Sequence, residues 1–142
     1  MNVPLLLLPK VGTAYLYAKT PIGEGISVLR ESGFSAIPVL YEDGRYFGTV
    51  SSGDFLSYVL DNGTESLTGD GKCVADIVTP FSNPAVNIDA SLHDLLVRLM
   101  DSNFVPVVDG RGCFAGIITR KKLLGYLQDT YIPQDWGLKT GT

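Results

Sequence analysis

The stretch PVLYEDGRYFGTVSSGDFLSYVL (residues 38–60) returns later in the same chain as PVVDGRGCFAGIITRKKLLGYLQ (residues 106–128). The second copy opens 106 − 38 = 68 residues after the first, and the two align without a gap: Gly48 falls on Gly116, Ser51 on Thr119, Leu56 on Leu124 and Tyr58 on Tyr126. A repeat of this length is one supersecondary unit duplicated, and two such units bury apolar faces against each other. The expected fold class is α/β (α+β), built as two equivalent halves sharing one core.

Upstream of the first copy, AYLYA (residues 14–18) is a short apolar run ending at Lys19-Thr20-Pro21. It predicts a strand and then a helix, with Thr20 as N-cap and proline at the first helical position. Ile22, Gly25, Ile26 and Leu29 recur at i, i+3, i+4 and i+7, an amphipathic stripe that Gly33 is placed to end. AIPVLY and RYFGTVS, separated by Glu42-Asp43-Gly44, read as strands joined by a tight turn. A closing helix from Asp54 is expected to turn Phe55, Leu56, Val59 and Leu60 to the core, giving the order β-α-β-β-α. The second half repeats it with AVNI as the strand, a helix carrying Leu92, Leu95, Leu96, Leu99 and Met100, and a hairpin and closing helix ending near Gln128. Residues 61–73 are polar and glycine-rich, a linker, and the tail 129–142, with Trp136, has no readable period.

Composition narrows the function classes. A chain of 142 residues suits one domain with a real core, and 45% apolar against 18% charged residues fits a compact protein. The net charge of −4 offers no global field to nucleic acid or anionic membrane, so neither is expected as a partner and an anionic ligand must be met locally. MNVPLLLLPK lacks a basic leader region and falls short of the ~20 apolar residues of a membrane span; it reads as a short strand or turn covering the core. Cys73 and Cys113 stand at no metal spacing and fit a reducing cytoplasm, with a disulfide between them left open. His93, the only histidine, has no second histidine or cysteine at ligand spacing, so no metal is expected. With no nucleophile–base pair either, an enzyme is the least expected class.

Ser35-Ala36-Ile37-Pro38-Val39, Asp43-Gly44 and Gly48-Thr49-Val50-Ser51-Ser52-Gly53-Asp54 resemble the CBS motif, named after cystathionine β-synthase, whose "G-h-h-[ST]-x-x-D" run the last segment matches. In the second copy Gly116-Ile117-Ile118-Thr119 matches, but Lys122 stands where the aspartate falls. Val74-Ala75-Asp76-Ile77-Val78-Thr79 resembles the lead-in to a second motif. The chain is thus similar to a CBS pair, or Bateman module: one module over 1–142, with motifs at about 14–60 and 76–128.

This resemblance implies two clefts about a pseudo-twofold, each between the first strand and "S-A" step of one copy and the "[ST]-x-x-D" turn of the other. Adenine would meet the first wall, and ribose and phosphate the second, where a hydroxyl before free helical N–H groups makes an anion site. One cleft would combine Ala14, Tyr15, Phe34, Ser35 and Ala36 with Thr119, Arg120, Lys121 and Lys122. The other would combine Ala85, Val86, Asn103, Phe104 and Val105 with Ser51 and Asp54. The resemblance further implies a non-catalytic cytoplasmic sensor of an adenine nucleotide, cyclic di-AMP or AMP/ATP, with no cofactor. A disc-like homodimer and a regulated partner protein complete that reading; the alternative is a ligand-free interaction or dimerisation module.

Lys122 bears on which nucleotide is preferred. A carboxylate accepts both protons of a free 2′,3′-diol, whereas an ammonium only donates. A 3′,5′-linked cyclic dinucleotide has no such diol, and Lys122 beside Arg120 and Lys121 replaces repulsion of its phosphate with attraction. Small stand-alone CBS pairs of Gram-positive bacteria that bind cyclic di-AMP are similar, with "S-A-I-P-V" in the first motif and "T-R-[RK]" in the second. On this reading Arg120→Ala weakens nucleotide binding with little change in ligand-free melting temperature. Every one of these residues also has a purely structural reading. Ser51 and Asp54 suit a helix cap, 120–122 a solvated basic face, and Ser35 and Ala36 close strand packing. Phe34, Tyr58 and Tyr126 suit the core.

Overall fold

A computed structural model of the chain describes residues 3–69, 71–79 and 82–135; Trp136, whose packing the sequence leaves open, lies outside the described residues. The first half runs β2 (Leu16–Tyr17), α2 (Ile22–Ser32), β3 (Ala36–Leu40), β4 (Tyr46–Ser51) and α3 (Ser52–Asn62). The second runs β5 (Val86–Asn87), α4 (Leu92–Arg98), β6 (Phe104–Val108), β7 (Phe114–Thr119) and α5 (Arg120–Tyr131). A leading turn of helix α1 (Val3–Leu6) and strand β1 (Leu8–Pro9) precede both. The sheets are ordered β2-β3-β4 and β1-β7-β6-β5.

The duplication is visible residue by residue. Val39 pairs with Gly48 and Val107 with Gly116, and each hairpin shifts register at the equivalent step, Val39/Leu40 and Val107/Val108. Pro38 and Pro106 sit in interior strands of their sheets, β3 and β6, a place proline normally avoids. They are tolerated because β2 and β5 are two residues long and pair only with the residues after each proline, Val39 and Leu40, Val107 and Val108. The halves meet at their hairpin turns through an exchanged pair of bonds: Tyr46 N–H donates to Gly112 O at 3.1 Å and Phe114 N–H to Gly44 O at 2.9 Å. These are pseudo-twofold equivalents, and both glycines hold left-handed φ values, 95° and 81°, that the turns require.

The core is not one shared mass. Each half buries its own cluster, Leu16, Ile22, Leu29, Val39 and Phe55 in the first and Leu95, Leu99, Val107 and Leu123 in the second. A smaller cluster of Leu40, Phe104, Phe114 and Ile117, with Tyr15, Ala36 and Tyr46 against it, joins them. Each half also receives the lead-in of the other. Val3 and Leu6 bury themselves in the second half and β1 pairs with β7, while Val74 and Val78 of the second motif's lead-in enter the first. Gly48 and Gly116 lie under these crossings: an added Cβ would meet Val78 Cγ1 at 2.8 Å at the first and collide with the Leu8 carbonyl at the second. The leading segment does cover the core, as a helical turn plus a strand.

Three local expectations are corrected. The N-cap of α2 is Pro21, and Thr20 Oγ1 instead accepts from Tyr17 N–H at 3.3 Å. Gly33, φ 76°, ends that helix as expected. Leu56 and Leu60 are 70% and 86% exposed, because α3 faces its sheet with Phe55, Tyr58 and Val59 and the adjoining row of apolar residues points outward. Leu96 and Met100 are likewise exposed, and Leu95 and Leu99 carry the packing.

Candidate functional site

The strand ladder sets the neighbours of each signature residue. Ala36 pairs with Ser51 and Phe104 with Thr119, so each hydroxyl turn abuts the "S-A" step of its own half. Ser52 N–H donates to Ser35 O and Arg120 N–H to Asn103 O, which fixes both turns the same way. Across the pseudo-twofold the two steps face one another. Phe34, Ser35 and Ala36 line one pocket of ≈ 230 Å³ together with Asp101, Ser102, Asn103 and Phe104, closed by Thr49 and Asn83. Residues assigned by sequence to two clefts, Phe34, Ser35 and Ala36 to one and Asn103 and Phe104 to the other, therefore share one site on the axis.

The remaining expected residues lie around it. Tyr15 packs in the joining cluster, its ring 6.3 Å from that of Phe114 and its phenol pushed up by burial and then by the Tyr17 phenol. Ala14 packs on the first core, Val86 on the second, and Val105 is buried within the second. Thr119 and Lys122 line a separate groove of ≈ 430 Å³ with Lys121, Leu5, Leu6, Tyr126 and Asp129. Ser51 and Asp54 form a reciprocal capping box on α3: Asp54 N–H donates to Ser51 Oγ at 3.2 Å and Ser51 N–H to Asp54 Oδ2 at 2.8 Å. Ser91 and Asp94 repeat the box on α4, where those bonds hold the Asp94 carboxyl below its ordinary range. Thr119 Oγ accepts from Lys122 N–H at 3.1 Å, but the box stays half made because lysine has no acceptor to return.

Arg120 is occupied within its own half. Its Nε donates to Leu99 O at 2.7 Å, one terminal nitrogen to Met100 O at 2.7 Å and the other to Asn103 Oδ1 at 2.9 Å. The guanidinium thus satisfies carbonyls at the C-terminal end of α4, whose partial negative charge it complements. These contacts argue against the expectation that its removal changes the ligand-free melting temperature little.

The sequence reading missed a polar group beside the axis. Tyr46 OH lies 2.6 Å from Thr49 Oγ1 and donates to Asn83 O at 2.7 Å; Asn83 Nδ2 donates to Phe104 O, and Arg98 donates to Asn83 Oδ1 at 2.9 Å. Burial pushes the Tyr46 phenol up to about 12. The available signal was asymmetry: Tyr46 and Thr49 align with Phe114 and Ile117, polar groups in one copy where the other has apolar ones. Among the described residues no cluster of three or more His, Cys, Asp or Glu is arranged for a metal, and no helix is long and apolar enough to cross a membrane.

The comparisons with known proteins agree with this architecture. The family model for the CBS domain matches residues 11–61 and again 74–129. The chloroplastic CBS domain-containing protein CBSX1 of Arabidopsis thaliana is 28% identical over 126 residues, covering 71% of this chain and 53% of the relative, so the chain spans about half the length of the curated relative it matches. The crystal structure of CbpB in complex with c-di-AMP is similar with a TM-score of 0.81 at 24% identity, over 91% of this chain and 85% of that one. CBSX2 in complex with AMP, a protein of A. thaliana, gives 0.73 at 26% identity over 90% and 96%. Two family matches in tandem, on two halves with the same register and hairpin exchange, place this chain in the CBS-domain family as a CBS pair.

Proposed function

We propose that this CBS pair is a non-catalytic sensor that holds an adenine nucleotide between its two repeats and thereby alters the surface it offers a partner protein. The observation that carries this is the pocket on the pseudo-twofold axis, where Phe34, Ala36 and Phe104 supply apolar walls and Ser35, Ser102 and Asn103 a few polar groups. That mixture suits a planar base with hydrogen-bonding edges. CBSX2, a relative of 26% identity, was crystallised with AMP, which supports the same ligand class here. Lys122 lines the separate groove, which meets this pocket at the Thr119–Phe104 pair, so a cyclic dinucleotide that extends into the groove gains the ammonium's attraction for its second phosphate, while AMP finds there no carboxylate to accept from its diol. The ligand acts by its differential affinity for two surface states, the only way binding shifts such an equilibrium.

The chain works in the cytoplasm and as a homodimer on this reading. Two pseudo-equivalent apolar grooves mark the helical face: one of ≈ 420 Å³ with Ile26, Leu29 and Leu56, the other of ≈ 340 Å³ with Leu96, Leu99 and Leu124. A second copy would cover them.

Mass spectrometry of small molecules released from natively purified protein tests the ligand. Cyclic di-AMP or AMP is expected, and Lys122→Asp should weaken cyclic di-AMP while leaving AMP unchanged or improved. Purified protein free of nucleotide that binds neither in calorimetry refutes the sensor. That outcome would favour a ligand-free assembly module, a reading for which the pocket speaks: ≈ 230 Å³ lies below the roughly 300 Å³ at the lower end of ligand sites.

A further inference from the structure

The polar group around Asn83 is built on one side of the axis alone. Pro21 and Ser91 start equivalent helices 91 − 21 = 70 residues apart, and by that offset Asn83 and Arg98 correspond to Thr13 and Val28. Neither reproduces the arrangement: Val28 has no donor, and the Thr13 hydroxyl donates to Lys10 O at 2.9 Å. Asn83 holds a left-handed φ of 50°, uncommon for a residue other than glycine, and every polar group it carries toward the cleft is engaged. Among the described residues no buried side-chain nitrogen or oxygen lacks a partner, so this wall presents a finished network rather than open donors.

Resting on the nucleotide reading above, we infer that Asn83 is an internal plug: held by Arg98, Tyr46 and the Phe104 carbonyl, its carboxamide narrows the shared inter-repeat pocket from one side and closes it to nucleotide. Ligand enters there only when the Arg98–Asn83 bond opens. A binding-competent state that is a minor one, ~0.1–10% populated, lowers apparent affinity by the inverse of its population. The plug thus sets how tightly the cleft binds and keeps the ≈ 230 Å³ pocket small.

Two variants release it differently. Asn83→Gly suits the positive φ, keeps the backbone carbonyl that Tyr46 uses and deletes the carboxamide; Arg98→Met keeps Asn83 and removes its anchor. Calorimetry with AMP is expected to show both variants binding at least about tenfold more tightly than the unmodified chain. Weaker binding by both, which would make Asn83 a ligand-contacting residue, or unchanged affinity overturns the plug. If neither the unmodified chain nor the variants bind AMP or cyclic di-AMP, the nucleotide reading fails, and the crystal structure of Asn83→Gly decides the plug by itself. A cavity enlarged by the vacated carboxamide supports it; one refilled by its neighbours overturns it.

Discussion

Replacing Arg120 with alanine tests whether its guanidinium serves the fold or awaits a phosphate. The change removes three hydrogen bonds from a charged donor, to Leu99 O, Met100 O and Asn103 Oδ1, at the end of α4 where carbonyls have no helical partner. One hydrogen bond to a charged group contributes about 1.5–3 kcal/mol, and a cation at a helix C-terminus ~0.3–1 kcal/mol. Two of the three bonds are exposed, and water will resatisfy the carbonyls, so the sum is cut well below simple addition, to about 2 kcal/mol. For a chain of this size that is roughly 6–10 °C in melting temperature. Differential scanning calorimetry on ligand-free protein reads it directly. Arg120→Lys should recover less than half, since a point charge cannot reach three acceptors that the planar fork spans. A ligand-free melting temperature unchanged in Arg120→Ala, with nucleotide affinity down roughly 10- to 150-fold, would refute this reasoning and make Arg120 a phosphate ligand.

Three further outcomes are expected. Tyr46 is pushed up to about 12, so the folded state keeps its proton after the unfolded chain has lost it; the associated stability is complete below pH 10 and is lost between pH 10 and 12. Urea unfolding across that window should show a loss of about 2–3 kcal/mol that Tyr46→Phe lacks, and equal slopes would contradict it. Gly116→Ala drives a Cβ into the Leu8 backbone and should cost about 1–3 kcal/mol while raising hydrogen exchange in β1; Gly48→Ala meets only the Val78 side chain and should cost less. On the homodimer reading, Leu60→Glu, at a site 86% exposed in a single chain and one helical turn from Leu56, should leave the fold intact and shift sedimentation toward monomer, whereas an unchanged sedimentation would remove α3 from any interface between copies.

Local chemistry was legible in the amino-acid order. The repeat at a 68-residue offset is read by aligning the chain with itself; the glycine ending α2, the hairpin turns and the paired hydroxyl-and-carboxylate runs are each settled within a few residues by φ preference, period and capping reach, and Ser51 and Asp54 meet across one helical turn. What the order alone left open is decided between segments far apart in the chain. A two-row apolar stripe on α3 does not say which row the sheet will cover, and Leu56 and Leu60 went outward. A run of three basic residues does not say that Arg120 turns back to α4 while Lys121 and Lys122 face α1. The exchange of lead-in segments over Gly48 and Gly116, and the meeting of Tyr46, Asn83 and Arg98, join residues whose proximity exists only once both halves have packed. Periodicity fixes elements because backbone sterics are short-ranged; which side chains share a cleft follows from shape fit between finished surfaces.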